Sequence, residues 1–195
     1  MSKSDPSAAK GGRKKNTRWV ITVFIVTIFI SGSISLLSDI VMENSSMPIA
    51  FLILLGIILL GVIFDVVGMA VATADEKPFH SMAARKVPGA QEAISLLRNA
   101  ERVSSICNDV IGDICGVVSG SASATIAVQI LKNFQFTWPQ MITLAMSALA
   151  AGLTVGGKAI GKSFAVNSCT SIVHTVGKLI MRFHQFRFLF KQKKL

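Results

Sequence analysis

The sequence predicts an all-α integral membrane protein, with about four transmembrane helices and further amphipathic helices on the cytoplasmic side. Three observations predict it. Half of the 195 residues are hydrophobic (51%) and only 15% are charged, which is too apolar for an ordinary soluble domain. The apolar residues gather into long runs separated by short polar segments, the pattern of membrane spans. The formal net charge is nonetheless +10, and Lys and Arg fall in alternate loops, as the cationic ends of such spans do.

Residues 1–18 form a basic cytoplasmic tail, in which Lys3, Lys10, Arg13, Lys14, Lys15 and Arg18 face a single Asp5. Such a composition is disordered on its own. Residues 19–37 are an apolar run, long enough to cross the roughly 30 Å hydrocarbon core at about 1.5 Å per residue. The run exceeds the apolar region of a signal peptide, about 7–15 residues, so a retained helix is expected. A short acidic loop follows, with Asp39, Glu43, Asn44 and Ser45. Pro48 opens a second run that reaches Ala74 and carries one charge, Asp65.

Residues 75–102 are polar and amphipathic, and Pro78, Pro88 and Gly89 break them into pieces. Residues 90–97 read as a short helix with Ala93, Ile94 and Leu97 on its apolar side. A third run, 103–131, is rich in small residues. After a turn at 132–137 comes a fourth run, 138–155, with Trp138 placed as an interfacial anchor. Beyond it, apolar and basic residues alternate. Lys178, Arg182, Arg187 and Lys191 stand among Phe183, Phe186, Phe188 and Phe190, the composition of a helix lying in the headgroup layer. Residues 181–195 are its basic amphipathic end. The Lys and Arg distribution places both termini and the 75–102 loop inside, and the loops near Asp39 and Lys132 outside.

The composition also excludes classes. There is no tyrosine and aromatics make up 7%, which leaves few platforms for stacking bases, so no nucleic-acid partner is expected. Cys107, Cys115 and Cys169 are an odd set. They read as small buried residues rather than a disulfide framework. His80, His174 and His184 fit no zinc spacing, and no serine–histidine–acid arrangement emerges, so no enzyme is expected.

Residues Gly156 to Ser163 match the P-loop letters through Gly156, Gly161, Lys162 and Ser163. A P-loop needs a strand before it, whereas a membrane run precedes this segment. No Asp or Glu follows Asp113 to hold a nucleotide's Mg²⁺. No nucleotide is expected. Gly112, Gly116 and Gly120, extended by Ala124, recur every four residues on the third helix. That spacing lets membrane helices approach closely, within the chain or across a dimer.

The same helix carries Asn108, Asp109 and Asp113, with Ser104 and Ser105 just before them. Asp109 and Asp113 are four apart and would share a face. Asp65 lies at a similar depth on the second helix. Carboxylates at membrane depth cost roughly 2.5–3.5 kcal/mol each and mark ion or proton paths. Two readings stay open. In one, these six residues form a hard-cation site. In the other, Asp65 or Asp113 pairs with Lys158 or Lys162.

With these residues in view, 48–180 resembles the transmembrane domain of the cyclin M, CorB and CorC magnesium-transporter family. Asp65-Val66-Val67-Gly68-Met69-Ala70-Val71 is similar to that family's S-x-S-E-x-A-L. Asn99-Ala100-Glu101-Arg102 is similar to its N-P-E-R, and Gly112-Asp113 to its Gly-Asn pair. The stretch from Gly157 through Lys158, Gly161, Lys162 and Ser163 to Ala165 is similar to G-E-x-x-P-K-S-x-A. Gly68 and Lys158 stand where the family has acids, and Gly161 where it has a helix-breaking proline. The resemblance implies a re-entrant basic segment after the last span, a homodimer, and Mg²⁺ as the bound or transported ion. It makes residues 19–37 an additional helix. It also leaves room for a separate regulatory subunit in place of the family's paired nucleotide-binding domains. The expected function is divalent-cation transport in the plasma membrane; the alternative is a non-transporting scaffold or partner-binding subunit.

Overall fold

The computed structural model describes residues 6–43, 45–133 and 138–192. The side chains that hold the basic clusters of the two tails, 1–20 and 186–195, lie outside the described residues, as does most of the 132–137 turn. Every element among the described residues is helical. This suits a chain in lipid, where backbone N–H and C=O groups must be satisfied within the segment. In chain order they are α1 (Pro6–Glu43), α2 (Met47–Thr73), α3 (Lys77–Ala84), α4 (Ala90–Arg98), α5 (Ala100–Ser105), a π-helix (Ile106–Gly112), α6 (Asp113–Asn133), α7 (Pro139–Asn167) and α8 (Cys169–Gln192). Among the described residues, four stretches are long and apolar enough to cross a membrane: Phe24–Met42, Met47–Thr73, Ala100–Asn133 and Pro139–Asn167.

Prolines start the helices and set their phase. Pro48, Pro78 and Pro139 all lie in the first turn of their helix, where a missing N–H costs nothing. α2 sits at the centre and packs against α5, the π-helix, α6, α7 and α8. Two apolar clusters divide its length. One gathers Leu54 and Ile58 of α2 with Met42, Ile126, Ala127 and Met146. The other gathers Ala70 and Val71 with Phe79, Leu97, Ala165 and Val173. A polar layer lies between them.

Three boundaries differ from the sequence reading. First, α1 is helical from Pro6 to Glu43, so residues 6–18 of the basic tail and Asp39 belong to the helix. Asp39 is accommodated because α6 supplies its partners. Its Oδ1 accepts from the Ser121 hydroxyl at 3.3 Å and the Thr125 hydroxyl at 3.1 Å. One turn further, the Gln129 amide donates to the Met42 carbonyl at 2.6 Å. Ser121, Thr125 and Gln129 are four apart, so they form one polar stripe along α6.

Second, α7 runs unbroken to Asn167, and α8 follows it as one continuous helix to Gln192. Gly161 carries an N–H and can continue the helix where a proline would break it. The P-loop-like letters therefore lie inside a helix, whose amides bond within it. Third, α8 continues through residue 181 without a boundary.

α4 and α8 meet at bare backbone. Gly89 has φ +84°, and a Cβ there would come within 2.5 Å of the Lys178 nitrogen. A Cβ on Gly177 would collide with the Gly89 carbonyl and reach 3.1 Å from the Ala93 nitrogen. Helix propensity alone would make Gly177→Ala stabilising by about 1 kcal/mol. The collision reverses that sign, and we expect thermal unfolding to show a loss of about 1–3 kcal/mol. At the other end of the bundle, Asp39→Leu removes the acceptor of two hydroxyls and should cost about 1 kcal/mol in the same assay.

Candidate functional site

The polar layer is built on one face of α2. Gly61, Asp65 and Gly68 follow one another at helical spacing, and all are buried. A Cβ on Gly61 would lie 2.8 Å from the Cys115 Cβ. A Cβ on Gly68 would collide with the Asn108 side-chain oxygen and lie 2.9 Å from the Cys107 Cβ. The two glycines thus let the π-helix and the start of α6 close onto α2. Asp65 lies between them, 4% exposed. The Asn108 carboxamide fills the space that a side chain at 68 would take.

α7 closes the opposite side in the same way. A Cβ on Gly157 would lie 2.9 Å from a Val62 methyl, and one on Gly161 2.6 Å from a Val66 methyl. Small residues four apart on α7 therefore seat against valines four apart on α2. This close approach carries Lys158 into the layer. Its Nζ donates to the Gly112 carbonyl at 3.3 Å. It stands 3.9 Å from Asp65 Oδ1 and 3.7 Å from Asp113 Oδ1. The carboxylate separations are ion-pair contacts longer than a hydrogen bond.

The layer is incompletely satisfied. Asp65 Oδ2 and Asn108 Oδ1 are both buried and have no hydrogen-bond partner. Buried acceptors of this kind are rare in folded proteins. Asn108 belongs to the π-helix and Asp65 lies against its last residue; this winding is often found at functional sites.

Of the six residues read as cation ligands, Asp65 and Asp113 share Lys158 as a neighbour, and Asn108 packs against Gly68 one turn along α2. Asp65, Asn108 and Asp113 belong to this layer, with Asp113 at its open edge, its side chain 70% exposed. Asp109 is exposed and accepts from the Ser105 hydroxyl at 2.8 Å. Ser104 lies 3.5 Å from the Glu101 carbonyl. The extra residue of a π turn offsets the α-helical register that would have stacked Asp109 with Asp113. Among the described residues, no group of three or more His, Cys, Asp and Glu side chains is arranged to hold a metal. Of the two lysines considered as partners, Lys158 faces both acids, whereas Lys162 is exposed, as is Ser163.

Of the glycine series, Gly112, the last residue of the π-helix, packs inside the chain, its Cβ position lying 3.4 Å from Lys158 Nζ and 3.5 Å from Asp65 Oδ1. A Cβ at Gly116 or Gly120 would meet nothing within 4 Å. Sequence reasoning missed the roles of Gly61 and Gly68. The available signal was two small residues flanking a lone acid on one face of an apolar helix. A groove of about 500 Å³ lies elsewhere, between α4, α5 and α8, with Glu92, Asn99 and His184 in its wall. Glu92 is its one carboxylate.

A double-mutant cycle tests the pairing. Lys158→Met leaves a buried carboxylate without its counter-charge and should cost about 3–5 kcal/mol. Adding Asp65→Asn should recover part of that loss, with a coupling of about 1–3 kcal/mol. Thermal unfolding of the four proteins without divalent ions gives the answer, and strict additivity would place the two side chains out of contact.

No family model, curated protein or solved structure matches the chain.

Proposed function

We propose that this membrane protein moves a divalent cation, Mg²⁺ foremost, across the plasma membrane through the layer between α2, the π-helix and α7. One observation carries the reading. Asp65 Oδ2 and Asn108 Oδ1 are oxygen acceptors buried without donors in a membrane-spanning region, and an oxygen-seeking cation would satisfy both. Mg²⁺ is usually bound by one or two carboxylates and keeps several of its waters. Asp65 and Asp113 offer the carboxylates, Asn108 an amide oxygen, and the exposed side of Asp113 room for water. The resemblance to the cyclin M, CorB and CorC family supports the same ion. In this reading both termini are cytoplasmic. Alternating access shifts the π-helix and α6 against α2. A second copy packs on the Gly116 and Gly120 face, where among the described residues a Cβ would meet nothing within 4 Å.

The second reading is a non-transporting scaffold or partner-binding subunit. It is favoured by Lys158, which brings a positive charge within 4 Å of both acids. In that case the layer is a fixed ionic joint.

Thermal stability of the detergent-purified protein across a Mg²⁺ titration, with Na⁺ and Ca²⁺ controls, separates the two. A ligand that binds only the folded form stabilises by about 2.7 kcal/mol at a hundredfold excess over Kd. Transport predicts a saturable, Mg²⁺-selective rise in Tm that Asp65→Asn abolishes, and Mg²⁺ flux into proteoliposomes. A flat titration together with no flux would leave the scaffold.

A further inference from the structure

We propose that Lys158 is a tethered competitor for the cation, the residue that decides when, and how tightly, the layer takes a divalent ion. The inference rests on the transport reading and adds a regulator to its site. Lys158 Nζ is 3.7 Å and 3.9 Å from oxygens of the two acids. Its hydrogen bond goes to the Gly112 carbonyl, which is uncharged. The ammonium is thus held by the field of both carboxylates without being locked to either. Asp65 keeps its second oxygen unbonded.

Charge arithmetic makes the two cations exclusive. Asp65 and Asp113 contribute two negative charges and Lys158 one positive charge. A divalent ion beside a resident ammonium leaves the layer positive, and like charges at such distances repel strongly where the dielectric is low. If the ammonium withdraws, the ion and the two carboxylates are neutral together. Lys158 is only 20% exposed, but its flexible four-carbon stem lets the head move while the helix stays in place. The helix itself is pinned, because Gly157 and Gly161 seat against Val62 and Val66. The mobile part is therefore the side chain, and ion entry is an exchange in which the ammonium swings out as the divalent ion comes in.

A purely structural role and a competitor role separate when ion-free stability and Mg²⁺ affinity are measured on the same proteins. Lys158→Met should lower the ion-free Tm yet tighten the apparent Mg²⁺ Kd at least tenfold, read from Tm against MgCl₂ concentration. A structural lysine would weaken both. Lys158→Arg keeps the charge, and its planar fork engages carboxylates in pairs. It should fold and weaken Mg²⁺ at least tenfold, and it reads the same competition if the Met variant does not fold. Mg²⁺ binding to Lys158→Met but not to wild type supports the proposal if wild type still carries Mg²⁺ flux, and without flux the proposal falls with the transport reading. Wild-type affinity, or weaker, in Lys158→Met overturns it, as does wild-type affinity in Lys158→Arg. If in these cases wild type still binds Mg²⁺ and Asp65→Asn abolishes the binding, the transport reading survives. A flat titration in wild type and in both variants sinks both.

Discussion

The close seating of α7 on α2 is the constraint from which the rest of this structure follows. Gly157 and Gly161 press against Val62 and Val66, and at that distance Lys158 reaches the carboxylates of Asp65 and Asp113. A side chain at either glycine would push the helices apart. The ammonium would then leave Asp65, and a carboxylate 4% exposed would be stranded at membrane depth. Packing and charge are coupled here: the small residues make the ion pair reachable, and the pair makes the buried acid tolerable. Lipid offers no hydrophobic driving force between helices, so a joint of this kind carries more of the burden than it would in a soluble bundle.

The layer also explains why the apolar packing falls into two clusters. Leu54 and Ile58 serve one, Ala70 and Val71 the other, and the intervening turns of α2 carry Gly61, Asp65 and Gly68. A break in apolar packing at mid-bundle weakens the connection between the two halves. The π-helix lies at the same level, against α2. Its wider winding is less favourable than the α form, so such segments persist mainly where they serve a purpose. The unpaired oxygens of Asp65 and Asn108 lie at this same level.

What the sequence made legible follows its physics. Four spans could be read because hydropathy over about 20 residues is a strong, local signal. Asp65 could be read because a lone carboxylate in such a run is conspicuous, and Lys158 because it belongs to a recognisable glycine–lysine stretch. The choice between metal and lysine as the partner of Asp65 could not be read, since it depends on how far α7 slides along α2. The π winding left no local signature either, and it separates Asp109 from Asp113. The length of α7 turned on one residue, Gly161, where a missing proline lets the helix run on to Asn167. Asp39 looked like a loop acid because its partners, Ser121 and Thr125, lie more than 80 residues away in sequence.

That separation bears on how the protein is made. α1 leaves the ribosome before α6, and the hydroxyls that donate to its carboxylate belong to a helix synthesised 82 and 86 residues later. At about 5–20 residues per second, the wait is on the order of ten seconds. During it, Asp39 must stay hydrated near the membrane surface or be shielded by the insertion machinery. The arrival of α6 ends the wait by offering Ser121, Thr125 and Gln129 in a single stripe. Docking of α1 is therefore a late event in assembly, because it waits for partners on a span translated well after its own.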